Sequence, residues 1–246
     1  MTNNSNKAAI AAVAAVAVVL IATLLLVQTL GGEDDTGTTA ASGETSSAPA
    51  PAQTPAPGNC VEPPALPAEP KQYDEVPDPK LAENAVWKAT VTTNCGDIVL
   101  ELDGKKAPQT VASFLFLARD GYWDDSPCHR LVTSGIFVLQ CGDPTGTGSG
   151  DPGYGYGVEN APEDGVYPRG TLAMARTSDP ESNGGQFFIV YDETQLPDPN
   201  GYSIFGTVTE GMDIVDQIAE GGVGGTLGPE APAQPISILD ITVEKA

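Results

Sequence analysis

The sequence predicts a mainly β domain, a closed β-barrel capped by two α-helices, which follows one transmembrane helix and a disordered stalk. Three observations lead to this prediction. The N-terminus carries an uncharged, almost wholly apolar run of 20 residues, and a long segment rich in Pro, Ala, Thr and Ser comes next. The remaining chain contains many short apolar segments separated by Gly and Pro turns, and only two of its segments have helical spacing.

The apolar run, Ala8 to Val27, is long enough to cross a bilayer core of roughly 30 Å as a helix, and Thr23 is its only polar member. Lys7 precedes the run and acidic residues follow it, which predicts a cytoplasmic N-terminus and an extracytoplasmic C-terminal domain. A cleaved signal peptide is the alternative, but it would have a shorter apolar core and a small-residue cleavage motif. We therefore expect residues 1–30 to be an uncleaved anchor in the cell membrane.

Residues 31–85 have the composition of a linker or stalk. Ala48-Pro49-Ala50-Pro51 is typical of extended, semi-rigid spacers. Cys60 lies in the second half of this segment. The chain has four cysteines, enough for two disulfides in an oxidising compartment, and if all four pair, Cys60 must link the stalk to the domain.

Residues 86–246 are long enough for one well-buried core. Residues 86–93 and 97–103 alternate around an Asn-Cys-Gly turn and predict a β-hairpin, and Pro108 suits the first turn of a helix that stops before Gly121. Later strands are predicted at 170–176, 186–191, 202–209 and 237–243, with a second helix at 212–219.

The segment from Cys128 to Asp143 predicts a second hairpin, two apolar strands around a Thr-Ser-Gly turn. Alternation places Val138 and Gln140 on one face and Phe137 and Leu139 on the other. An arginine and a glutamine on such a hairpin suit peptide recognition, although a core hairpin with a solvated Arg130 is the alternative. Alternation also disfavours a bridge from Cys128 to Cys141, unless a bulge intervenes.

Composition excludes several functions. The formal net charge of −22 argues against a nucleic-acid partner, because phosphate binding requires clustered Lys and Arg. His129 is the only histidine, so a histidine metal cluster is impossible, and we expect a hydrogen-bonded structural residue. The glycine-rich loop at 143–165 lacks the Gly-Lys-Ser/Thr of a phosphate-binding loop.

An ordered series of motifs resembles the cyclophilin family of peptidyl-prolyl isomerases across residues 88–244. The series comprises Arg130 with Phe137-Val138-Leu139-Gln140, Met174-Ala175-Arg176, Asn183-Gly184-Gly185-Gln186-Phe187-Phe188-Ile189, Phe205-Gly206-Thr207-Val208 and Glu210-Gly211-Met212-Asp213-Ile214-Val215. The resemblance implies an eight-stranded antiparallel barrel, a monomeric domain, proline-containing polypeptide substrates and no cofactor.

The resemblance also implies roles for individual residues. Arg130 would stabilise the twisted peptide bond, Tyr202 would lie at the pocket rim, and the backbones of Ala175 and Arg176 would orient the peptide with Gln140 and Gln186. The apolar pocket for the proline ring would comprise Phe137, Val138, Phe188 and Leu196. The sequence departs from the family in three places. Arg130 and Phe137 are two residues further apart, which predicts an enlarged hairpin tip, and Arg176 stands where Asn is common. A tryptophan common beside the family's pocket is absent, with Gln195 or Leu196 in its neighbourhood, which predicts weak cyclosporin sensitivity.

The function that these patterns predict is isomerisation of proline bonds in exported proteins at the outer face of the membrane. A proline-peptide-binding chaperone or scaffold with weak catalysis is the alternative. The presence of Arg130 favours the enzyme, because binding alone does not require the arginine.

Overall fold

The structure is a computed structural model, and it describes residues 59–246. The predicted membrane anchor and the first part of the stalk lie outside these residues. Within residues 59–246, no helix is both long enough and apolar enough to span a bilayer.

The described chain is mainly β with two α-helices, as predicted. In chain order the elements are a 3-10 helix at Pro79–Ala82, β1 (Val86–Thr93), β2 (Gly96–Asp103), α1 (Pro108–Arg119), β3 (Ser126–Pro127), β4 (Arg130–Ser134), β5 (Ile136–Cys141), β6 (Val166–Tyr167), β7 (Thr171–Met174), β8 (Phe187–Val190), β9 (Thr194–Gln195), β10 (Ile204–Glu210), α2 (Met212–Glu220) and β11 (Ser237–Lys245).

Nine of the strands form one antiparallel sheet in the order β3-β11-β1-β2-β10-β7-β8-β5-β4, and β6 pairs with β9. The predicted closed, eight-stranded barrel is therefore wrong in strand number and in closure. The two edge strands are separated by only Cys128 and His129, so the sheet curls back on itself without a closing ladder. Pro127 has no N–H with which to continue a ladder, and the loop before β11 occupies the free edge of β4, where Leu131 N–H donates to the Glu230 carbonyl at 2.7 Å.

The core lies between the curled sheet and α1. Strand alternation turns Ile98, Leu100 and Leu102 of β2 inward, as their spacing predicted, and each is at most 3% exposed. From α1, Phe114 packs against Trp123 with ring centroids 4.7 Å apart and against Phe205 at 5.6 Å, and Phe187 joins the same aromatic cluster. This packing fixes α1 on the inner face of the sheet.

Residues 59–85 lie against the curled sheet and α1, and we call them the strap. A disulfide joins Cys60 to Cys95 in the turn between β1 and β2, and Val61 N–H donates to the Asn94 carbonyl at 2.8 Å. Further along, Gln109 of α1 donates to the Pro77 carbonyl at 2.8 Å. The second half of the predicted linker is thus held on the domain, as the position of Cys60 suggested.

The β4–β5 hairpin corrects two predictions. Cys128 and Cys141 form a disulfide, which alternation had disfavoured. Because β4 begins only at Arg130, Cys128 precedes the strand and the alternation rule does not extend to it. The predicted enlarged tip is also absent: Ser134 lies opposite Ile136, and Gly135, at a φ of +80°, makes the turn. The additional residues therefore lengthen the paired ladder.

Candidate peptide-binding site

The register of the β4–β5 hairpin places Arg130 directly opposite Gln140. The Arg130 Nη1 donates to Gln140 Oε1 at 3.2 Å, and its Nε donates to Glu230 Oε2 at 3.0 Å. The arginine side chain is 35% exposed. Its guanidinium is therefore held from two sides at the surface, where it can meet a ligand.

A chain of hydrogen bonds continues from this arginine across β5 and β8. Gln140 Nε2 donates to Gln186 Oε1 at 2.9 Å, and Gln186 Nε2 donates to the carbonyls of Gly148 and Gly150 at 3.1 and 2.9 Å. Each amide is oriented by its neighbour, because each nitrogen has an acceptor and each oxygen has a donor. The network presents Gln140 Oε1 to Arg130 and fixes the cation in place.

An apolar cavity of about 120 Å³ opens beside this network. Val138 and Phe188, which are 3% and 4% exposed, belong to a small cluster of buried apolar side chains on this face of the sheet. The residues that line the cavity are Arg130, Ile136, Val138, Gln140, Ala175, Arg176, Phe188, Leu196 and Tyr202. Eight of the ten residues chosen from the sequence line it, and a ninth, Gln186, is hydrogen-bonded to Gln140.

Phe137 is the residue of the predicted pocket that the structure does not bring there. Its ring packs edge-on against Tyr191, with centroids 5.9 Å apart, in a separate cleft that also contains Arg169. Ile136 lines the apolar cavity, and sequence reasoning missed it. Strand alternation contained the signal, because it places Ile136 on the same face as Val138 and sends Phe137 to the other.

Arg176 is buried, with only 1% of its side chain exposed. Its Nη2 donates to Asp198 at 2.6 Å, its Nε donates to the Gly201 carbonyl at 3.0 Å, and its guanidinium lies 4.6 Å from the centre of the Tyr202 ring. The Asn200 N–H and the Arg176 guanidinium together hold the pKa of Asp198 below its usual value. Arg176 therefore fixes Tyr202 and the adjoining loop at the rim of the cavity.

The glycine-rich loop, residues 143–165, is organised by a buried carboxylate. Burial opposes the charge of Asp143, but hydrogen bonds from Thr145 and from the Gly150 N–H hold its pKa below the usual value. This loop, together with Gln140 and Gln186, lines a second cavity of about 420 Å³ that adjoins the apolar one. The two cavities share Gln140, Ala175 and Arg176 and therefore lie side by side, and we call them together the groove.

His129 differs from its prediction. It is buried, and neither ring nitrogen has a hydrogen-bond partner within residues 59–246, so the expectation of a hydrogen-bonded residue is wrong. Burial lowers its pKa, and Arg130 adds to this effect, while Asp143 and Gln186 oppose it. The same part of the chain contains no cluster of His, Cys, Asp and Glu that could bind a metal ion.

An arginine fixed beside a small apolar cavity, with a larger cavity next to it on a curled antiparallel sheet, defines a β-sheet protein suited to bind a small apolar group within a longer ligand such as an extended peptide. A family model described as "Cyclophilin type peptidyl-prolyl cis-trans isomerase/CLD" matches residues 88–243. This match covers more than half of the chain, and the chain therefore belongs to the cyclophilin-type peptidyl-prolyl cis-trans isomerase family.

Similar proteins support this membership. The chain is 40% identical to "Probable peptidyl-prolyl cis-trans isomerase B" of Mycobacterium leprae, across 76% of this chain and 67% of that protein. It is 38% identical to the protein of the same description from Mycobacterium tuberculosis, across 77% of this chain and 62% of that protein. The chain thus spans about two thirds of the length of these relatives. A peptidyl-prolyl cis-trans isomerase of Helicobacter pylori is 36% identical, across 63% of this chain and 93% of that protein.

Solved structures agree. A Cryptosporidium parvum cyclophilin type peptidyl-prolyl cis-trans isomerase superposes with a TM-score of 0.57 at 31% identity, and the match covers 65% of this chain and 99% of that one. A second structure of that protein, determined in the presence of the dipeptide Ala-Pro, gives a TM-score of 0.56 at 32% identity with the same coverage.

Proposed function

We propose that this chain catalyses cis-trans isomerisation of X-Pro bonds in exported proteins at the outer face of the cell membrane. The observation that carries the catalytic part is the guanidinium of Arg130, fixed by Gln140 and Glu230 beside an apolar cavity. The solved relative determined in the presence of Ala-Pro supports the choice of a proline-containing ligand.

The mechanism follows from amide resonance, which sets a barrier of about 18–20 kcal/mol to rotation. Twisting the X-Pro bond breaks this resonance and makes the prolyl nitrogen a better hydrogen-bond acceptor. Nε and Nη1 of Arg130 bond to Glu230 and Gln140, whereas Nη2 has no partner in the described part of the chain. Donation from Nη2 to the prolyl nitrogen stabilises the twisted state more than either planar state, which is the requirement for catalysis.

The remaining groups hold the substrate. Val138, Phe188 and Leu196 supply apolar contacts for the proline ring, because burying its methylene groups is favourable. Tyr202, fixed by Arg176, closes the rim. Gln186 and the glycine-rich loop offer polar contacts to the peptide chain along the second cavity. This role needs no bound cofactor, since the reaction makes and breaks no covalent bond.

The test is isomerase activity of the full chain on a proline tetrapeptide, with Arg130→Ala compared with wild type. We expect kcat/KM to fall by roughly 10²–10³, as when one transition-state donor is removed elsewhere. Arg169→Ala is the matched control, because Arg169 is also a partly exposed, ion-paired arginine, 2.7 Å from Asp216 in the separate cleft. This control should retain wild-type activity.

Other outcomes would redirect the proposal. If wild type and Arg130→Ala both turn over at the uncatalysed rate yet bind the peptide, the chain is a proline-peptide-binding chaperone or scaffold. If Arg169→Ala loses as much activity as Arg130→Ala, the loss reflects a general effect of removing an arginine, and Arg130 has no special role.

The proposed location has two supports. The apolar run from Ala8 to Val27 has the length of a membrane anchor. Both described disulfides, Cys60–Cys95 and Cys128–Cys141, belong to the type of cross-link that persists in oxidising compartments outside the cytoplasm. An anchored isomerase on this side would meet polypeptides as they emerge from the membrane.

A further inference from the structure

The strap contacts the glycine-rich loop on both sides of the segment that faces the groove. Leu66 packs against Gly146, where its Cδ1 would lie 3.3 Å from an added Cβ. Gln72 Nε2 donates to the Asp151 carbonyl at 2.6 Å, and Tyr73 N–H donates to the Pro152 carbonyl at 2.8 Å. The loop segment 146–153 is therefore attached to the strap at each end.

The strap is itself held by rigid parts of the domain. Tyr73 packs edge-on against Phe116 of α1, with ring centroids 4.9 Å apart, and its hydroxyl donates to Asp120 at 2.8 Å. The disulfide from Cys60 to Cys95 holds the other end of the strap. The strap can thus transmit the position of α1 and of the β1–β2 turn to the loop.

The attached loop segment participates directly in the groove. Its Gly148 and Gly150 carbonyls accept the hydrogen bonds that orient Gln186, and Gln186 in turn orients Gln140. The segment also forms one wall of the 420 Å³ cavity. Strap residues, by contrast, neither line the apolar cavity nor contact Arg130 within residues 59–246.

We propose that the strap is a positioning element for substrate binding, with Gln72 and Tyr73 as its positioning residues. It holds loop segment 146–153 in the conformation that accepts the peptide chain beyond the proline ring. The proposal rests on the proposed function for its ligand, a proline-containing peptide. Because no strap residue contacts Arg130 within residues 59–246, and Glu230 also holds this arginine, we expect the strap to affect KM for extended peptides more than kcat.

The first experiment compares Gln72→Ala with Lys80→Ala in the full chain, on a proline peptide of six residues. Gln72→Ala removes the hydrogen bond to the loop, and we expect KM to rise about three- to tenfold with kcat within about twofold of wild type. Lys80 is the matched control, because this exposed strap residue pairs with Asp78, 3.6 Å away, and has no bond to the loop within residues 59–246. Its variant should keep the wild-type KM. Gln72→Glu, which keeps the size but loses the donor, should behave as Gln72→Ala.

The second experiment disturbs the same contact from the loop side. Gly153 has a φ of +92°, and an added Cβ would lie 2.5 Å from the Tyr73 carbonyl oxygen. Gly170 has a similar φ of +86°, but an added Cβ there meets nothing closer than 3.8 Å. Both alanine variants carry the same kind of backbone strain, and only Gly153→Ala forces loop and strap apart. We expect KM to rise in Gly153→Ala alone.

A direct binding measurement separates this proposal from the proposed function. The dissociation constant of the six-residue peptide, measured by calorimetry, should rise in Gln72→Ala and Gly153→Ala and stay constant in Lys80→Ala and Gly170→Ala. This pattern supports the strap proposal even if the wild-type chain has no isomerase activity, in which case only the proposed function fails. Unchanged KM and dissociation constant in both test variants, equal rises in the controls, or absence of peptide binding by the wild-type chain would overturn it. Thermal unfolding of each variant confirms that the comparison is made between folded proteins.

Discussion

The role of each polar residue around the site depends on how deeply its side chain is buried, and the sequence predicted this burial only in part. The sequence placed Arg130 and Gln140 on one hairpin, but their direct pairing depends on a turn at Gly135 that is tighter than the predicted one. Glu230, which holds Arg130 from the other side, carried no signal, since it lies 100 residues further on in an irregular loop. The sequence predicted a role only for the backbone of Arg176, whereas the structure shows its side chain enclosed by Asp198 and Tyr202.

His129 makes a prediction at this scale. Burial lowers its pKa in the folded chain below 6.5, and unfolding restores the ordinary value. Above pH 6.5 the ring is neutral in both states, so protonation of His129 does not oppose folding. As pH falls below 6.5, the ring is protonated in the unfolded state before it is protonated in the folded state, and the free energy of unfolding decreases. The free energy of unfolding should fall by up to about 1.4 kcal/mol per pH unit from this residue, until the folded pKa is reached.

The measurement is urea unfolding of wild type and His129→Gln between pH 7.5 and 5. The variant has no titrating ring, so its stability should decline less steeply with acid than that of wild type. Parallel curves for the two proteins would show that His129 is not the group whose protonation opposes folding. Asp143 is expected to lose its own contribution at lower pH, because its folded pKa lies below the ordinary carboxylate value.

Individual elements were predictable where one physical rule acted alone. The β1–β2 hairpin and the helix after Pro108 appear where alternation and helical spacing placed them. Prediction failed at element ends, where rules compete. Cys128 lies just before β4, outside the range of strand alternation, and its backbone instead bonds to Ile236. The structure thus joins Cys128 and Cys141 through an irregular junction that periodicity could not describe.

The two disulfides give a prediction at this scale. Cys128–Cys141 closes a loop with a sequence separation of 13 and Cys60–Cys95 one of 35. Loop-closure entropy predicts that Cys128→Ser/Cys141→Ser lowers the free energy of unfolding by about 3 kcal/mol and Cys60→Ser/Cys95→Ser by about 4 kcal/mol. Guanidinium unfolding of both double variants beside oxidised wild type measures the two losses. If the shorter loop gives the larger loss, native packing around the hairpin outweighs chain entropy.

At the scale of the whole molecule, the fold class followed from the spacing of many short strands and two helices, whereas barrel closure did not. A barrel closes only if its two edge strands pair with each other. Here Pro127 lies in the edge strand β3, and the loop before β11 covers the free edge of β4, the other edge strand. The packing of the strap on the domain could likewise not be predicted from composition. A proline-rich segment has the same composition whether it packs on a domain or extends freely as a linker. Only the position of Cys60 pointed to its attachment.

The proposed membrane anchor is tested on the whole chain in its host cell. We expect the wild-type chain to stay in the membrane fraction after an alkaline wash, because an uncharged run of 20 residues with one polar member is long enough to insert stably as a helix. A variant without residues 8–27 should appear in the soluble fraction.

Val18→Lys/Leu20→Lys provides a control of unchanged length, since each lysine near the middle of the run costs about 2.5–3.5 kcal/mol on insertion, and this variant should also leave the membrane. External protease should degrade the domain of the wild-type chain in intact cells, because the basic flank predicts a cytoplasmic N-terminus. A soluble wild-type product that lacks its first 30 residues would instead identify the run as a cleaved signal peptide.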